Sequence, residues 1–279
     1  MSQKSYNNTP TLFLIPTPIG NLEDITLRAI NTLKDVSVVF CEDTRVTALL
    51  LNHLEIKKKL IASHKFNEEK NINKMLEYLN NGESVGLVSD RGTPVISDPG
   101  EILVRAAIEN NFNVVALPGA TALIPALTVS GLGANNFLFY GFLNNKDGKK
   151  RQELEELKFL KATLIFYEAP HRIQKTLEEI LNILGNRYAS ISREITKKYE
   201  EIYRGKVTEL IDKMVDIKGE MVVIVEGNKE ENTYKNLSII EHINLYIKEG
   251  KSSMEAIKKV ASDRGVNKND IYKEYHKGE

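Results

Sequence analysis

Residues 85–100 read VGLVSDRGTPVISDPG, and this stretch decides the fold. Its first four residues form a short apolar run after the breaker Asn81-Gly82, a pattern typical of a strand buried on both faces of a parallel sheet. Polar and small residues begin where the run ends, at Ser89 and Asp90. Because open α/β sheets bind ligands at the carboxyl ends of their strands, this stretch predicts a ligand-binding corner.

A helix is expected directly after this loop. Asp98 is predicted to cap it, Pro99 suits the first helical position, and Glu101 stands three residues after the cap. The apolar residues that follow repeat with helical spacing. The whole stretch is therefore interpreted as a strand, a polar loop and a helix.

Other strand ends along the chain have the same character. Apolar runs at 12–15, 36–41 and 114–117 are followed by the loops PTPIGN, EDTR and PGATA. Strand and helix patterns alternate throughout residues 11–130, which indicates an α/β fold with a parallel sheet and helical crossovers. In the EDTR loop, a capped helix start explains Asp43 and its neighbouring threonine as well as catalysis does.

The strand ends together predict a pocket. It would offer polar side chains beside small apolar ones, a lining that suits an amino-acid or nucleoside-like ligand. No Walker loop, dinucleotide glycine motif, paired nucleophile and base, or metal-ligand spacing occurs in the sequence. The polar candidates are Asp90, Thr93, Ser97 and Thr121, and the apolar ones are Ile19, Ile96 and Ala122.

Composition limits the class of protein. The chain has 279 residues, 42% of them hydrophobic, which is enough for two domains with cores of their own. Lys plus Arg and Asp plus Glu are both 38, so no global field attracts nucleic acid or a membrane. The first apolar run is too short for a secretory segment, and Cys41 is the single cysteine, so we expect a cytoplasmic protein. The five histidines are scattered without ligand spacing, so no metal site is expected.

The second half of the chain differs from the first in the distribution of its charged residues. No charged residue occurs within 110–145, which we interpret as a buried seam between domains or subunits. The predicted domains are 11–130 and 131–228, followed by a helical, helix-turn-helix-like module over 235–279. The basic stretch 146–151 is expected to be a loop, either solvated or in contact with an RNA backbone.

Seven segments, in order, carry a resemblance to a known family: LIPTPIGNLEDITLRA, EDTR, LVSDRGTPVISDPG, ALPGATA, TLIFYEAPHR, SREITK and GEMVVIVEG. They resemble the bacterial 16S ribosomal RNA 2'-O-methyltransferase I family, within the tetrapyrrole-methylase superfamily. The resemblance implies two α/β domains with S-adenosylmethionine (SAM) in the cleft between them, and a homodimer. It also implies methylation of the ribose 2'-hydroxyl of a decoding-centre cytidine in 16S rRNA of the small ribosomal subunit.

Carried over by motif, the resemblance implies a set of SAM-binding residues along these segments. They are Ile19, Gly20, Thr93, Pro94, Ile96, Ser97, Thr121, Ala122, Tyr167, Ser192 and Arg193, with Glu168 closing the site. Asp90 and Gly92 of the predicted strand-end loop are expected to bind SAM with them. The central loop of the family usually has an alanine where this chain has Arg91. A guanidinium there is expected to point to solvent or to reach the RNA.

A ribose hydroxyl is a poor nucleophile until it loses its proton, so a carboxylate is expected nearby. Glu42, Asp43 and Glu168 are the candidate bases. The candidate substrate-binding cations are Arg45, Lys149, Lys150 and Arg151. Two rival functions stay open from the sequence: a methylase of small tetrapyrroles, and a non-catalytic RNA-binding assembly factor.

Overall fold

The computed structural model describes residues 3–5, 7–64, 68–229 and 237–277. The first half folds around a five-stranded sheet in which every strand is parallel to its neighbours, in the order β3-β2-β4-β1-β5. The prediction of a parallel α/β sheet is confirmed. Its strands are β1 (Thr11–Leu14), β2 (Val38–Cys41), β3 (Lys59–Ala62), β4 (Val85–Val88) and β5 (Asn113–Ala116).

Helices cover both faces of this sheet. One apolar cluster joins the strands to α1 (Leu27–Asp35) and α2 (Thr44–His53). The other joins them to α3 (Glu68–Asn80) and α4 (Glu101–Glu109). Burial on both faces explains why β2 and β4 are uninterrupted apolar or small sequences, VVFC and VGLV.

The second half forms a mixed sheet in the order β6-β7-β10-β8-β9, in which only β6 and β7 run parallel. One face packs against α6 (Asp147–Leu157), α7 (Ile173–Leu184) and α8 (Val207–Ile211), and the other against α5 (Leu123–Ser130). The strands are β6 (Phe137–Phe142), β7 (Thr163–Glu168), β8 (Tyr188–Arg193), β9 (Glu201–Lys206) and β10 (Met221–Val225).

Helix α5 joins the two halves. It follows β5 of the first sheet, yet its buried residues Ala126 and Leu127 pack on β7 and β10 of the second sheet. The uncharged segment is therefore a buried seam at α5. Strand β6 of the same segment is partly exposed to solvent, since Phe137 and Phe142 are 39% and 53% exposed. The boundary at residues 130 and 131 stays a prediction.

The last described part contains α9 (Ile239–Lys248), α10 (Ser253–Arg264) and α11 (Lys268–His276), which enclose a small core of their own. Lys259 of α10 lies 3.5 Å from Glu155 of α6, so this module rests on the second sheet's helices. Residues 235 and 236 of the predicted module lie outside the described residues. No helix in the described ranges is long and apolar enough to cross a membrane.

The predicted start of α4 was wrong. The helix begins at Glu101 after Gly100, whose φ of 131° is incompatible with a helix, and no side chain caps it. A Cβ at Gly100 would lie 2.7 Å from Leu87 Cδ2, so packing against β4 fixes this backbone. Asp98 therefore lies outside the helix, in the loop between β4 and α4.

One other expectation was wrong, and one strand was not expected. The basic stretch 146–151 is not a loop, because α6 begins at Asp147. Strand β9 was not predicted, because it is an edge strand of sequence EIYRGK without a buried apolar run.

Gly100→Ala should lower the free energy of unfolding by about 1–3 kcal/mol, since the new methyl group meets Leu87 and the φ angle suits glycine. The measurement is a urea unfolding curve. Gly148→Ala is the matched control: nothing lies within 4 Å of its Cβ position in α6, so its stability should stay level or rise slightly. Equal stability of both variants would contradict this packing.

Candidate functional site

A cleft of about 340 Å³ lies between the strand-end loops of the two sheets. The first half contributes the loops after β1, β4 and β5, and the second half contributes the ends of β6, β7, β8 and β10. Its lining residues are Ile19, Arg91, Gly92, Thr93, Ile96, Ser97, Asp98, Thr121, Ala122, Phe142, Tyr167, Glu168, Ala169, Pro170, Glu194, Ile195, Lys197, Glu220, Met221 and Val222.

Hydrogen bonds hold the three loops of the first half together. Thr17 N donates to Gly92 O at 2.9 Å, and Gly92 N donates to Thr17 O at 3.0 Å. Thr93 Oγ1 donates to the carbonyl oxygen of Ala120 at 3.0 Å. Gly92 must stay small, because a Cβ there would lie 3.2 Å from Ile19 Cγ2. The predicted convergence of these loops is therefore present in the fold.

Tyr167 forms the wall on the side of the second sheet. Its ring makes edge contacts with Phe139 and Phe142, at centroid distances of 4.9 Å and 5.6 Å. Burial raises the pKa of its phenol, while contact with Thr121 opposes that rise. Tyr167 therefore stays protonated at neutral pH and presents a hydroxyl beside Thr121.

Asp98 is one of three carboxylates in the cleft lining, with Glu194 and Glu220, that the sequence did not single out as functional residues. Burial raises its pKa to about 6, and the negative charges of Glu42 and Asp90 add to the effect, whereas a hydrogen bond with Ser89 opposes it. At neutral pH it is mostly ionised yet holds a proton far more readily than a free aspartate. The Asp-Pro-Gly-Glu pattern favoured a helix cap and hid this residue.

The candidate base Asp43 caps α2. Its carboxylate accepts hydrogen bonds from Arg45 N at 2.8 Å and from Arg45 Nη2 at 2.6 Å. These bonds lower the pKa of Asp43 to about 2, which makes it a weak base. Arg45 is thereby paired, and its side chain is 88% exposed, away from the cleft lining.

The two other candidate bases differ in their environment. Glu42 lies outside the cleft lining, and burial and the charge of Asp90 raise its pKa. Glu168 lines the cleft, but its carboxylate accepts hydrogen bonds from Thr176 Oγ1 at 2.6 Å and Ala169 N at 2.9 Å. It also lies 3.2 Å from Arg172 Nε. Glu168 is thus engaged by the protein itself.

Five predicted SAM-binding residues do not line the cleft: Gly20, Asp90, Pro94, Ser192 and Arg193. Gly20 packs under the side chain of Lys197. A Cβ atom added at Gly20 would lie 2.3 Å from Lys197 Cγ. Asp90 accepts a hydrogen bond from Asp43 N at 3.0 Å, and Pro94 is buried. Arg193 donates to Glu201 at 2.8 Å. Ser192 is buried in register with the cleft residue Val222, and its hydroxyl has no partner among the described residues.

Arg91 spans the mouth of the cleft. Its Nη1 donates to Glu220 Oε1 at 2.8 Å, so it links the central loop to the start of β10. The expectation that it points to solvent fits its half-exposed side chain, the pairing with Glu220 was not predicted, and contact with RNA stays a prediction. Both side chains are more than half exposed, so the pair contributes little stability.

The three predicted RNA-binding cations of α6 have different surroundings. Lys149 is exposed. Arg151 binds Glu179 through two hydrogen bonds of 2.8 Å and 2.7 Å. Lys150 is buried, with its ammonium 3.2 Å from Thr176 Oγ1. Across the described parts of the chain, no group of His, Cys, Asp and Glu is placed to hold a metal ion.

Comparison with known proteins decides the family. Residues 11–211 match the model of the tetrapyrrole (corrin/porphyrin) methylases. The chain belongs to the tetrapyrrole methylase family. Ribosomal RNA small subunit methyltransferase I of Halalkalibacterium halodurans is 49% identical over 99% of both chains. The protein of that name from Bacillus subtilis is 45% identical over 99% of this chain and 97% of its own.

A solved structure shares the fold of this chain. Uroporphyrin-III C-methyl transferase from Thermus thermophilus, complexed with S-adenyl homocysteine, matches with a TM-score of 0.56 at 19% identity. The match covers 77% of this chain and 97% of the other. The predicted family, fold class and methyltransferase activity are therefore confirmed.

The free energy of unfolding of this tetrapyrrole methylase should depend on the ionisation of Asp98 in the cleft. Its pKa rises from 3.8 to about 6 on folding, so its stabilising contribution is complete below pH 3.8 and is lost as the pH rises through 6. Asp98→Asn removes this dependence. Relative to the wild type, its free energy of unfolding should rise by about 1–2 kcal/mol between pH 4 and pH 7, allowing for solvent screening.

In the same denaturant titrations, the free energy of unfolding of Asp43→Asn relative to the wild type should change with pH in the opposite direction. The pKa of Asp43 is lowered to about 2, so its contribution is present above pH 3.8 and is lost as the pH falls through 2. A profile of Asp98→Asn parallel to that of the wild type would contradict the buried position of this carboxylate.

Proposed function

We propose that the protein transfers a methyl group from SAM to the ribose 2'-hydroxyl of a cytidine in 16S rRNA of the small ribosomal subunit. The observation that carries the proposal is the cleft between the two sheets, in a chain that is 49% identical, over nearly its whole length, to a small-subunit rRNA methyltransferase. The name of that relative supports rRNA as the substrate class. The position and nucleotide come from the sequence resemblance alone.

The residues of the cleft fit SAM. Apolar Ile19, Ile195 and Met221 suit the faces of an adenosyl group, and the hydroxyls of Thr121 and Tyr167 suit its polar edges. Two buried hydroxyls beside the cleft lining, on Ser192 and Thr196, have no partner within the described ranges. Glu194 and Glu220 are paired with Lys197 and Arg91. The carboxylate of Asp98 complements a positive charge in the cleft.

When bound there, SAM supplies an electrophilic methyl group on a positively charged sulfur. The protein's part is to align the acceptor hydroxyl and to remove its proton. We assign proton removal to Asp98, because it is the cleft carboxylate with a pKa of about 6, close to the working pH. Asp43 and Glu168 are occupied by Arg45 and by Thr176 with Arg172.

A homodimer and a cytoplasmic location complete the proposal. The uncharged segment exposes Ile124 and Val129 on α5 and Phe137 on β6. An exposed apolar edge of this kind supports contact with a second copy of the chain. The rRNA substrate and the single cysteine, which is buried and free, support a reducing cytoplasm.

The test uses tritiated SAM with unmodified 30S subunits, free 16S rRNA and a tetrapyrrole in parallel. We expect label in the RNA of 30S subunits, and nuclease mapping should place it on the ribose of one cytidine. Label in the tetrapyrrole alone would support the tetrapyrrole methylase. The absence of SAM binding by calorimetry at millimolar ligand would support the assembly factor.

Asp98→Asn should lower kcat by about 10²- to 10⁴-fold, the effect of losing a positioned base, while KM for subunits stays unchanged. The acid limb of the pH–rate profile near pH 6 should also disappear, because it reports the ionisation of this group. Asp35→Asn, an exposed change of the same charge in α1, is the control. Full activity of a folded Asp98→Asn protein would rule out this role.

A further inference from the structure

A second cavity, of about 450 Å³, lies beside the cleft and shares Phe142 and Ala169 with it. We call it the basic pocket. Its remaining lining residues are Asn145, Asp147, Lys150, His171, Arg172 and Lys175. Three of these are permanent cations and one is a carboxylate, so the pocket has a net positive charge of two.

The single carboxylate is already paired. Asp147 Oδ2 accepts a hydrogen bond from Lys175 Nζ at 2.7 Å, in a partly exposed position. Arg172 pairs in turn with the buried Glu168 at 3.2 Å, so Lys150 is the cation of the lining that has no carboxylate partner among the described residues, and the pocket attracts anions. Its position in a chain of zero net charge makes this a local field.

Lys150 is the deepest cation. It is 2% exposed, and its ammonium donates to Thr176 Oγ1 at 3.2 Å. No carboxylate oxygen lies within 4.0 Å of it among the residues that the structure describes. Since an ammonium has three donors and burial is costly for a charge, a bound anion would supply the missing partners.

Two helices begin at this pocket. Asp147 is the first residue of α6 and Arg172 precedes α7, and neither helix has a side chain capping its first turn. Their free N–H groups and dipoles add to the positive potential. Arg172 is preorganised, since its guanidinium donates to Leu143 O at 2.7 Å and lies 3.2 Å from Glu168.

The pocket is coupled to the wall of the cleft. The hydroxyl of Thr176, which accepts from Lys150, donates to Glu168 Oε2 at 2.6 Å, and Glu168 lines the cleft. A group held in the pocket is therefore separated from the cleft only by Phe142, Ala169 and this buried network. That separation suits a part of the same substrate.

We propose that the basic pocket binds a backbone phosphate of the RNA next to the methylated nucleotide. The inference rests on the proposed function and extends it to the groups that position the substrate. A phosphate offers several acceptor oxygens, which match the ammonium, the guanidinium and the helix N–H groups. Contacts of this kind fix the register of a nucleic acid without reading its sequence.

The test compares Lys150→Met and Lys175→Gln with Lys34→Gln, an exposed change of the same charge on α1. Lys150→Met keeps the length of the buried chain, and Lys175 is largely exposed, so at least one variant should fold normally. Binding of unmodified 30S subunits is measured over a range of salt concentrations, SAM binding by calorimetry, and folding by urea unfolding.

Each pocket variant should weaken subunit binding about tenfold and reduce the slope of log K against log salt by about 0.7–0.9. SAM affinity should stay unchanged, and Lys34→Gln should behave as the wild type. A normal slope in folded Lys175→Gln and Lys150→Met proteins would overturn the proposal. So would a loss of SAM affinity, which would assign the pocket to the carboxylate of SAM.

Inorganic phosphate distinguishes the source of the anion. Tight binding of free phosphate to the wild type, abolished in Lys150→Met without any change in subunit binding, would assign the pocket to a small anion and overturn the proposal. If the wild type fails to methylate subunits at all, the proposed function fails instead. The two failures are therefore separable.

Discussion

Four residues of the loop between β4 and α4 adopt positive φ angles, and the cleft depends on this backbone. Gly92 and Gly100 do so freely, but Val95 at 76° and Ser97 at 67° are strained, a cost of about 1–3 kcal/mol each. Hydrogen bonds to Thr17 and from Thr93 to Ala120 hold the loop in place. This backbone places Ser97 and Asp98 in the lining of the cleft instead of in the first turn of the helix.

The charges around the cleft follow a division between the two cavities. Four carboxylates and two cations line the cleft, and burial together with repulsion from the nearby Glu42 and Asp90 keeps the pKa of Asp98 high. Cations predominate in the neighbouring pocket, where Arg172 pairs directly with the buried Glu168 and Lys150 reaches it through the Thr176 hydroxyl. In the proposed function, the positively charged SAM binds in the cleft and an RNA phosphate binds in the neighbouring pocket, although the chain as a whole has no net charge.

Local pattern was sufficient for the parallel sheet and for the loops at its edge, because buried strands are short apolar runs ended by glycine or proline. It failed where distant packing decides. Gly100 is fixed by Leu87, Arg91 pairs with Glu220 at a sequence separation of 129, and Arg151 pairs with Glu179 of another helix. Edge strand β9 lacks an apolar run, and Asp98 fits a helix cap as well as a cleft wall by sequence alone.

The central claim is that the two sheets form one binding site for SAM, with Asp98 at its wall. A crystal structure of the protein grown with saturating S-adenosylhomocysteine tests it most directly. We expect the ligand in the cleft, in contact with Thr121, Tyr167 and Met221, with the Asp98 carboxylate facing the open side. Ligand bound elsewhere on the chain, with the cleft closed by the side chains of its two walls, would contradict it.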